Sequence, residues 1–291
     1  MLSIAEGGIY TDATVGLGGH TEEILKKVGT HGRVIGIDRD EEALRMTAER
    51  LNDSRLVLKK GRFSDIEKIL GAEGIEAADG ILLDLGVSMM QLKDLTRGFS
   101  FHSAERLDMR MDSAAEFSAW DVVNEYSERD LIRILKEYGE EYLAVRIVRA
   151  IANYRAEKNI DTCAELADIV SRAIGRRGKV HPATKTFQAL RIVVNDELDS
   201  LASALPQAVS GLRPGGRLAV ISFHSLEDRI IKNYFRDQSK ALINPPYERI
   251  YETERKAILK EINRKPIVPS QEEIHSNPRA RSAKLRVVEK L

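Results

Sequence analysis

The sequence of 291 residues has a single cysteine, Cys163, which excludes an internal disulfide. Its six histidines (His20, His31, His102, His181, His224, His275) show no zinc-ligand spacing, so no metal site is expected. No window approaches the roughly 18 uninterrupted apolar residues of a membrane span. The opening MLSIAEGGIYTD lacks the basic region and apolar run of a targeting tract. A reduced, cytoplasmic setting with no membrane partner is the expectation. Net charge is missing too, because 45 basic residues balance 45 acidic ones. A polyanion would have to meet a local basic patch rather than a globally basic body. Two stretches supply one without a carboxylate. Residues 172–191 carry Arg172, Arg176, Arg177, Lys179, Lys185 and Arg191, and residues 279–286 carry Arg279, Arg281, Lys284 and Arg286. Both point to nucleic acid.

What is present is a regular alternation. Residues 8–15 read as a short strand and a glycine-rich turn, and 21–28 as a helix with acids early, lysines late and Gly29 as its stop. Residues 33–38 (RVIGID) form a buried strand; Asp40 caps a helix to Leu51; 56–59 is a third strand; and Ser64 with Glu67 makes a capping box. Residues 81–85 (ILLDL) are apolar on both faces of a fourth strand. Such an order predicts a parallel, doubly wound α/β sheet with ligands at the carboxyl ends of its strands.

The alternation stops at Gly86. Residues 87–112 hold no period, yet Phe99, Phe101, Leu107, Met109 and Met111 are too apolar for a linker, so a functional lid is expected. Helical patterns follow, capped by Ser127 and by Thr162 with Glu165. A long helix beginning near Pro182 carries the stripe Phe187, Leu190, Val194, Leu198, Leu201, Leu205. A strand returns at 217–223 after Pro214-Gly215-Gly216, with Ser225 as the next cap. The sequence thus divides into a first sheet part (1–104), an all-helical insert (105–200) and a second sheet part with a basic tail (201–291).

The chemistry gathers at strand ends. In DATVGLGGH, Gly16, Gly18 and Gly19 lie between the first strand and first helix, where backbone must approach a ligand. A dinucleotide fingerprint would need a third glycine where Thr21 stands, and the preceding Asp12 is more typical of S-adenosylmethionine enzymes. Asp38 ends the second strand, where a carboxylate can accept both ribose hydroxyls. Phe63 follows the third strand, within reach of an adenine, and Asp84 ends the fourth.

The runs DATVGLGGH, IGIDRD, GILLDLGVS, RGFSF, LDMRMD, HPATKTFQALRIVVNDEL, GGRLAVISFHSLEDR and NPRARSAKLR resemble the RsmH (MraW) family of small-subunit ribosomal RNA cytosine-N4 methyltransferases. The resemblance covers residues 10–287. It implies a class I, Rossmann-like methyltransferase sheet with a helical insert that binds RNA. The reaction implied is transfer of a methyl group from S-adenosylmethionine to N4 of a decoding-centre cytidine. The partner implied is 16S ribosomal RNA or the small ribosomal subunit, not DNA. By position, the family's cofactor contacts fall on Gly18, Gly19, His20, Asp38, Phe63, Asp84 and Gln91. Asp84 and His224 stand as catalytic or substrate-side groups, and Asp108 and Arg110 as lid residues that orient the base. The sequence departs from the family in lacking an H-x-P-V-L-L segment before the first strand, and at Leu17, Met89-Met90 and Lys185. Two other readings compete: a nicotinamide-dependent dehydrogenase, suggested by the glycines with Asp38, and a non-catalytic RNA-binding relative.

Two motifs are read as decoys. INPPYER, starting at Ile243, contains the Asn-Pro-Pro-Tyr of amino-group methyltransferases, but it comes well after the fourth strand, where such a tetrapeptide would act, and is expected to be a turn. His224-Ser225-Leu226-Glu227-Asp228 has the letters of a hydrolytic triad, whose members must instead converge from separate elements.

Overall fold

The computed structural model describes all residues except 176–180, 244–252 and 255. Arg176, Arg177, Lys179 and Asn244–Arg249 of INPPYER therefore lie outside the described residues. The chain forms two compact units, Met1–Gly86 with Leu198–Leu291, and Val87–Glu197.

The first unit opens β1 (Ile9–Asp12), α1 (Gly19–Leu25), β2 (Arg33–Asp38), α2 (Glu41–Leu51), β3 (Leu56–Lys60), α3 (Ile66–Ala72), β4 (Ala78–Asp84). The second unit contains α4 (Met89–Lys93), α5 (Ala119–Glu125), α6 (Glu128–Glu137), α7 (Ala144–Arg155), α8 (Cys163–Ile174) and α9 (Thr184–Asn195). The chain then returns through α10 (Glu197–Ser210), β5 (Leu212–Ser222) and α11 (Ser225–Gln238). The short pair β6 (Leu242–Ile243) and β7 (Thr253–Glu254) follows, then β8 (Leu259–Glu261), α12 (Gln271–Ser276) and β9 (Lys284–Lys290).

The sheet order is β3-β2-β1-β4-β5-β9-β8, parallel from β3 through β5, with β9 and β8 antiparallel at the far side. This is the doubly wound α/β arrangement expected. Strand side chains alternate between two apolar layers: Ile81 and Leu83 join Ile35, Ile37, Val220, Leu201 and Leu205 on one side, while Leu82 meets Ala219 and Val287 on the other. The order reverses at β1, whose neighbours are β2 and β4. A crevice at the carboxyl ends of these strands is where doubly wound sheets bind ligands. Among the described residues, no helix is long and apolar enough to cross a membrane.

The helical unit starts earlier than the expected residue 105. Phe99 and Phe101 pack against its core of Leu107, Met109, Val122, Leu131 and Ile147, so the irregular stretch after Gly86 belongs to it. Polar bonds knit that stretch together. Arg97 Nη2 donates to the carbonyls of Arg110 and Met111, and the Met109 amide donates to the Arg97 carbonyl. The expected long helix after Pro182 is two helices. Asp196 takes a left-handed conformation (φ 51°) after α9, so the single apolar stripe splits: Phe187 and Leu190 enter the helical core, Leu201 and Leu205 the sheet core.

Asn195, buried at the end of α9, accepts from the Met111 amide (2.8 Å) and donates to the Met109 carbonyl (2.8 Å). Changing Asn195 to Ala leaves both backbone groups unpaired in the core and should destabilise the helical unit by about 2–4 kcal/mol. Urea unfolding monitored by circular dichroism measures this, and an unchanged midpoint would rule it out.

Candidate active site

The loop between β1 and α1 continues the sheet without being a strand. Ala13 N donates to the Leu82 carbonyl (2.9 Å) and Val15 N to the Ile37 carbonyl (3.0 Å), so the loop is stitched to β4 and β2 in turn. Gly16 N donates to Asp38 Oδ2 (2.7 Å). From α2, Thr47 Oγ1 donates to the Gly16 carbonyl (2.9 Å), and Arg50 Nη2 to the carbonyls of Leu17 and Gly18 (each 2.9 Å). Two glycines here have opposite reasons for being glycine. Gly18 has φ 76°, and a Cβ on it would lie 2.7 Å from Thr47 Cγ2. Gly19 would meet nothing within 4 Å, so the surface above it is open to a close-lying ligand.

Three carboxylates end three adjacent strands. Asp12, fully buried, accepts from Thr21 Oγ1 (2.7 Å) and Thr14 N (3.3 Å); burial pushes its carboxyl up to about 6, with the Thr21 bond opposing. Asp38 accepts from the Gly16 and Asp40 amides (2.7 and 2.9 Å), one on each oxygen, leaving each a second acceptor position. Burial raises its carboxyl above the ordinary range despite those two bonds. Asp84 N donates to Thr14 Oγ1 (2.6 Å), and Asp84 Oδ2 lies 3.4 Å from His20 Nε2. Asp84 Oδ1 is buried with no hydrogen-bond partner among the described residues. The His20 ring is half exposed, and its hydrogen bond to Asp84 raises it above the usual imidazole value, outweighing desolvation.

Gly18, Gly19, His20, Asp38 and Asp84 therefore form one cluster at the switch point. Phe63 begins the turn after β3 but is only 8% exposed; it packs among Ile37, Ile66 and Leu70, with the Arg39 guanidinium 5.8 Å from its ring centre. Three other candidates belong to the helical unit. Gln91 is buried in a capping box, its side-chain Oε1 accepting from Ser88 N (3.0 Å) while its backbone N–H donates to Ser88 Oγ (3.2 Å). Asp108 and Arg110 face each other in a two-bond pair (2.8 and 2.6 Å), and Arg110 Nη1 also donates to the Ala115 carbonyl. That pairing makes Arg110 a brace of the 97–115 stretch, and the hydrogen bond to Asp108, helped by its charge, raises the guanidinium further.

His224 follows β5, and here the expected cap is corrected. The cap of α11 is His224, not Ser225: His224 Nδ1 accepts from Glu227 N (3.4 Å), and Glu227 Oε2 accepts from Phe223 N (2.8 Å) and His224 N (3.3 Å). The ring is 9% exposed, with Nε2 3.2 Å from Glu227 Oε1. Asp228 turns instead to Arg286 and Lys284 (2.7 and 3.2 Å), so no triad relay forms. Sequence reasoning missed Thr14, Thr47 and Arg50, whose only signal was proximity to the glycine loop. Thr21 was noted as a missing glycine; its hydroxyl is the partner that a buried Asp12 requires.

The open cradle at Gly19, the remaining acceptor positions of Asp38 and the unmatched Asp84 oxygen fit a nucleoside-bearing, methyl-donating cofactor. The class defined is that of the S-adenosylmethionine-dependent methyltransferases. The model of the MraW methylase family matches residues 1–291, and the chain belongs to that family. It is 50% identical over 295 residues to the ribosomal RNA small subunit methyltransferase H of Carboxydothermus hydrogenoformans, covering 100% of this chain and 94% of that one. The protein of the same name from Clostridioides difficile is 45% identical (100% and 95% covered), and that from Caldicellulosiruptor bescii 47% (98% and 93%).

Two outcomes are expected. Gly19→Ala should leave thermal stability nearly unchanged and weaken S-adenosylhomocysteine binding in calorimetry, whereas Gly18→Ala should cost about 1–3 kcal/mol of stability through overpacking and a left-handed backbone. Equal effects would contradict the contrast between the two glycines. The second concerns Asp12. Its folded value of about 6 lies above the ordinary 3.8, so the fold holds that proton more tightly than the unfolded chain. The resulting stabilisation is complete below the unfolded value and is lost as pH rises through about 6. Relative to Asp12→Asn, the wild type should gain up to about 3 kcal/mol between pH 7 and pH 4 in urea denaturation. A difference that stays flat with pH would remove the assignment.

Proposed function

We propose that this methyltransferase acts on the exocyclic N4 of a cytidine in the decoding centre of 16S ribosomal RNA, alone or within the small ribosomal subunit, in the cytoplasm. The family membership and the names of the relatives support the RNA class. The observation that carries the chemistry is Asp84 Oδ1, a buried acceptor without a partner at the end of the central strand β4.

Cytosine N4 is a weak nucleophile, because its lone pair is delocalised into the ring. S-adenosylmethionine, when bound, supplies an electrophilic methyl carried on a cationic sulfur. This chain's residues would do the rest by positioning and by electrostatics. In this reading Gly18, Gly19 and His20 line the cofactor with backbone, Asp38 accepts the ribose hydroxyls, and Phe63 and Gln91 complete its surroundings. Asp84 Oδ1 accepts an N4 proton, localising the nitrogen lone pair. Asp108 and Arg110 shape the lid as a pair, and His224 fixes the end of β5 by capping α11. The base must be splayed out of its stack to reach such a site, and the helical unit is the surface assigned to hold the RNA. The two acid-free runs supply less free charge than their sequence promises. Arg172 pairs with Asp168 and Arg191 with Glu197, while Lys284 and Arg286 share Asp228.

Mass spectrometry of small-subunit RNA from a strain lacking the gene tests this reading. Complementation with the wild type should restore one methyl on cytosine N4, while Asp84→Ala should lower the rate of methylation about a hundredfold or more. A methyl on another atom, or full activity of Asp84→Ala, would overturn it.

A further inference from the structure

His20 and Thr21 are adjacent residues on α1 that reach to two different strands. Thr21 Oγ1 donates to Asp12 at the end of β1, and His20 Nε2 lies 3.4 Å from Asp84 Oδ2 at the end of β4. Asp84 is tied in two ways that spare one atom: its amide goes to Thr14 Oγ1 and its Oδ2 to His20, while its Oδ1 has no partner among the described residues. A terminal carboxylate torsion is broad and nearly two-fold, and burying an unmatched acceptor is costly. Without a tether on Oδ2, the group would turn to relieve that cost.

We propose that His20 is a positioning residue for methyl transfer, its Nε2–H holding Asp84 Oδ2 so that Oδ1 remains turned towards the amino group of the substrate cytosine. The inference rests on the reading of Asp84 given above and adds the group that keeps it aligned. In the step served, the N4 lone pair forms the bond to the methyl carbon while the carbon–sulfur bond breaks with its electron pair left on sulfur. N4 then carries one surplus proton, which passes to Asp84 Oδ1. The charged groups acting on His20 are Asp84 from β4 and Asp12 from β1, both acidic, so protonation of the imidazole is favoured and a donor at Nε2 is secured.

The pair can be tested first without cofactor or RNA. In ring-resonance NMR of the whole protein, His20 should titrate above the ordinary imidazole value, and Asp84→Asn should lower its midpoint. A midpoint unmoved by Asp84→Asn overturns the proposal. In kinetics at saturating RNA and S-adenosylmethionine, His20→Ala should lower turnover about 10- to 100-fold and His20→Gln should recover most of it, with S-adenosylhomocysteine affinity changing less than about threefold. Weakened affinity with intact turnover would make His20 a cofactor contact only and overturn its positioning role. If Asp84→Asn is impaired while His20→Ala turns over normally, this inference alone fails. If both turn over normally, the Asp84 reading fails with it.

Discussion

The bond from the Gly16 amide to the Asp38 carboxylate is the constraint on which the site depends. It joins a loop with no regular structure of its own to the end of β2, while the Ala13 and Val15 amides join the same loop to β4 and β2. A six-residue connection thereby becomes as fixed as the strands it crosses. Arg50 and Thr47 close it from the α2 side by taking the carbonyls at Gly16, Leu17 and Gly18. The cradle above Gly19 stays open, since a Cβ there would meet nothing within 4 Å.

The three carboxylates at this end of the sheet are held by three kinds of donor. Asp12 relies on a hydroxyl, Asp38 on backbone amides and Asp84 on an imidazole. Among the described residues none forms a close ion pair with a lysine or arginine, and the cationic partner that Asp84 does have is the His20 imidazole. A low-dielectric crevice whose charged groups are mainly acidic concentrates potential, and here the prevailing sign suits a cationic donor. The cost shows in the raised values of Asp12 and Asp38.

Local rules were more legible than distant ones, although the expected Ser64–Glu67 box does not form: Asp65 stands at the start of α3 and the Glu67 amide donates to Gln207 Oε1 (3.4 Å) instead. The caps at Asp40, Ser127 and Thr162 could be read from sequence because a cap acts within three residues. The strands at 33–38 and 81–85 stood out because burial on both faces leaves a continuous apolar run. Charge was misleading for the converse reason. The run 172–191 is free of acids, yet its ends find Asp168 and Glu197 just outside it, and Arg286 finds Asp228 from 58 residues away. The break at Asp196 was hidden because the apolar spacing continues through it while the partner surface changes. The role of His224 was hidden because a histidine ring nitrogen doing the work of a serine hydroxyl leaves no compositional mark.

The split of the sheet unit across the sequence has a consequence for synthesis. Strand β4 needs β5 as its neighbour, but β5 begins 128 residues after β4 ends, counting from Asp84 to Leu212. The helical unit between them is continuous in sequence and has its own core. As the chain leaves the ribosome from its amino terminus, that unit is complete while one edge of β4 still lacks its pair. An unpaired apolar strand edge is a template for wrong partners. The order of emergence therefore makes the interval between the two halves the period of greatest exposure to misassembly, and every residue added to the insert would lengthen it.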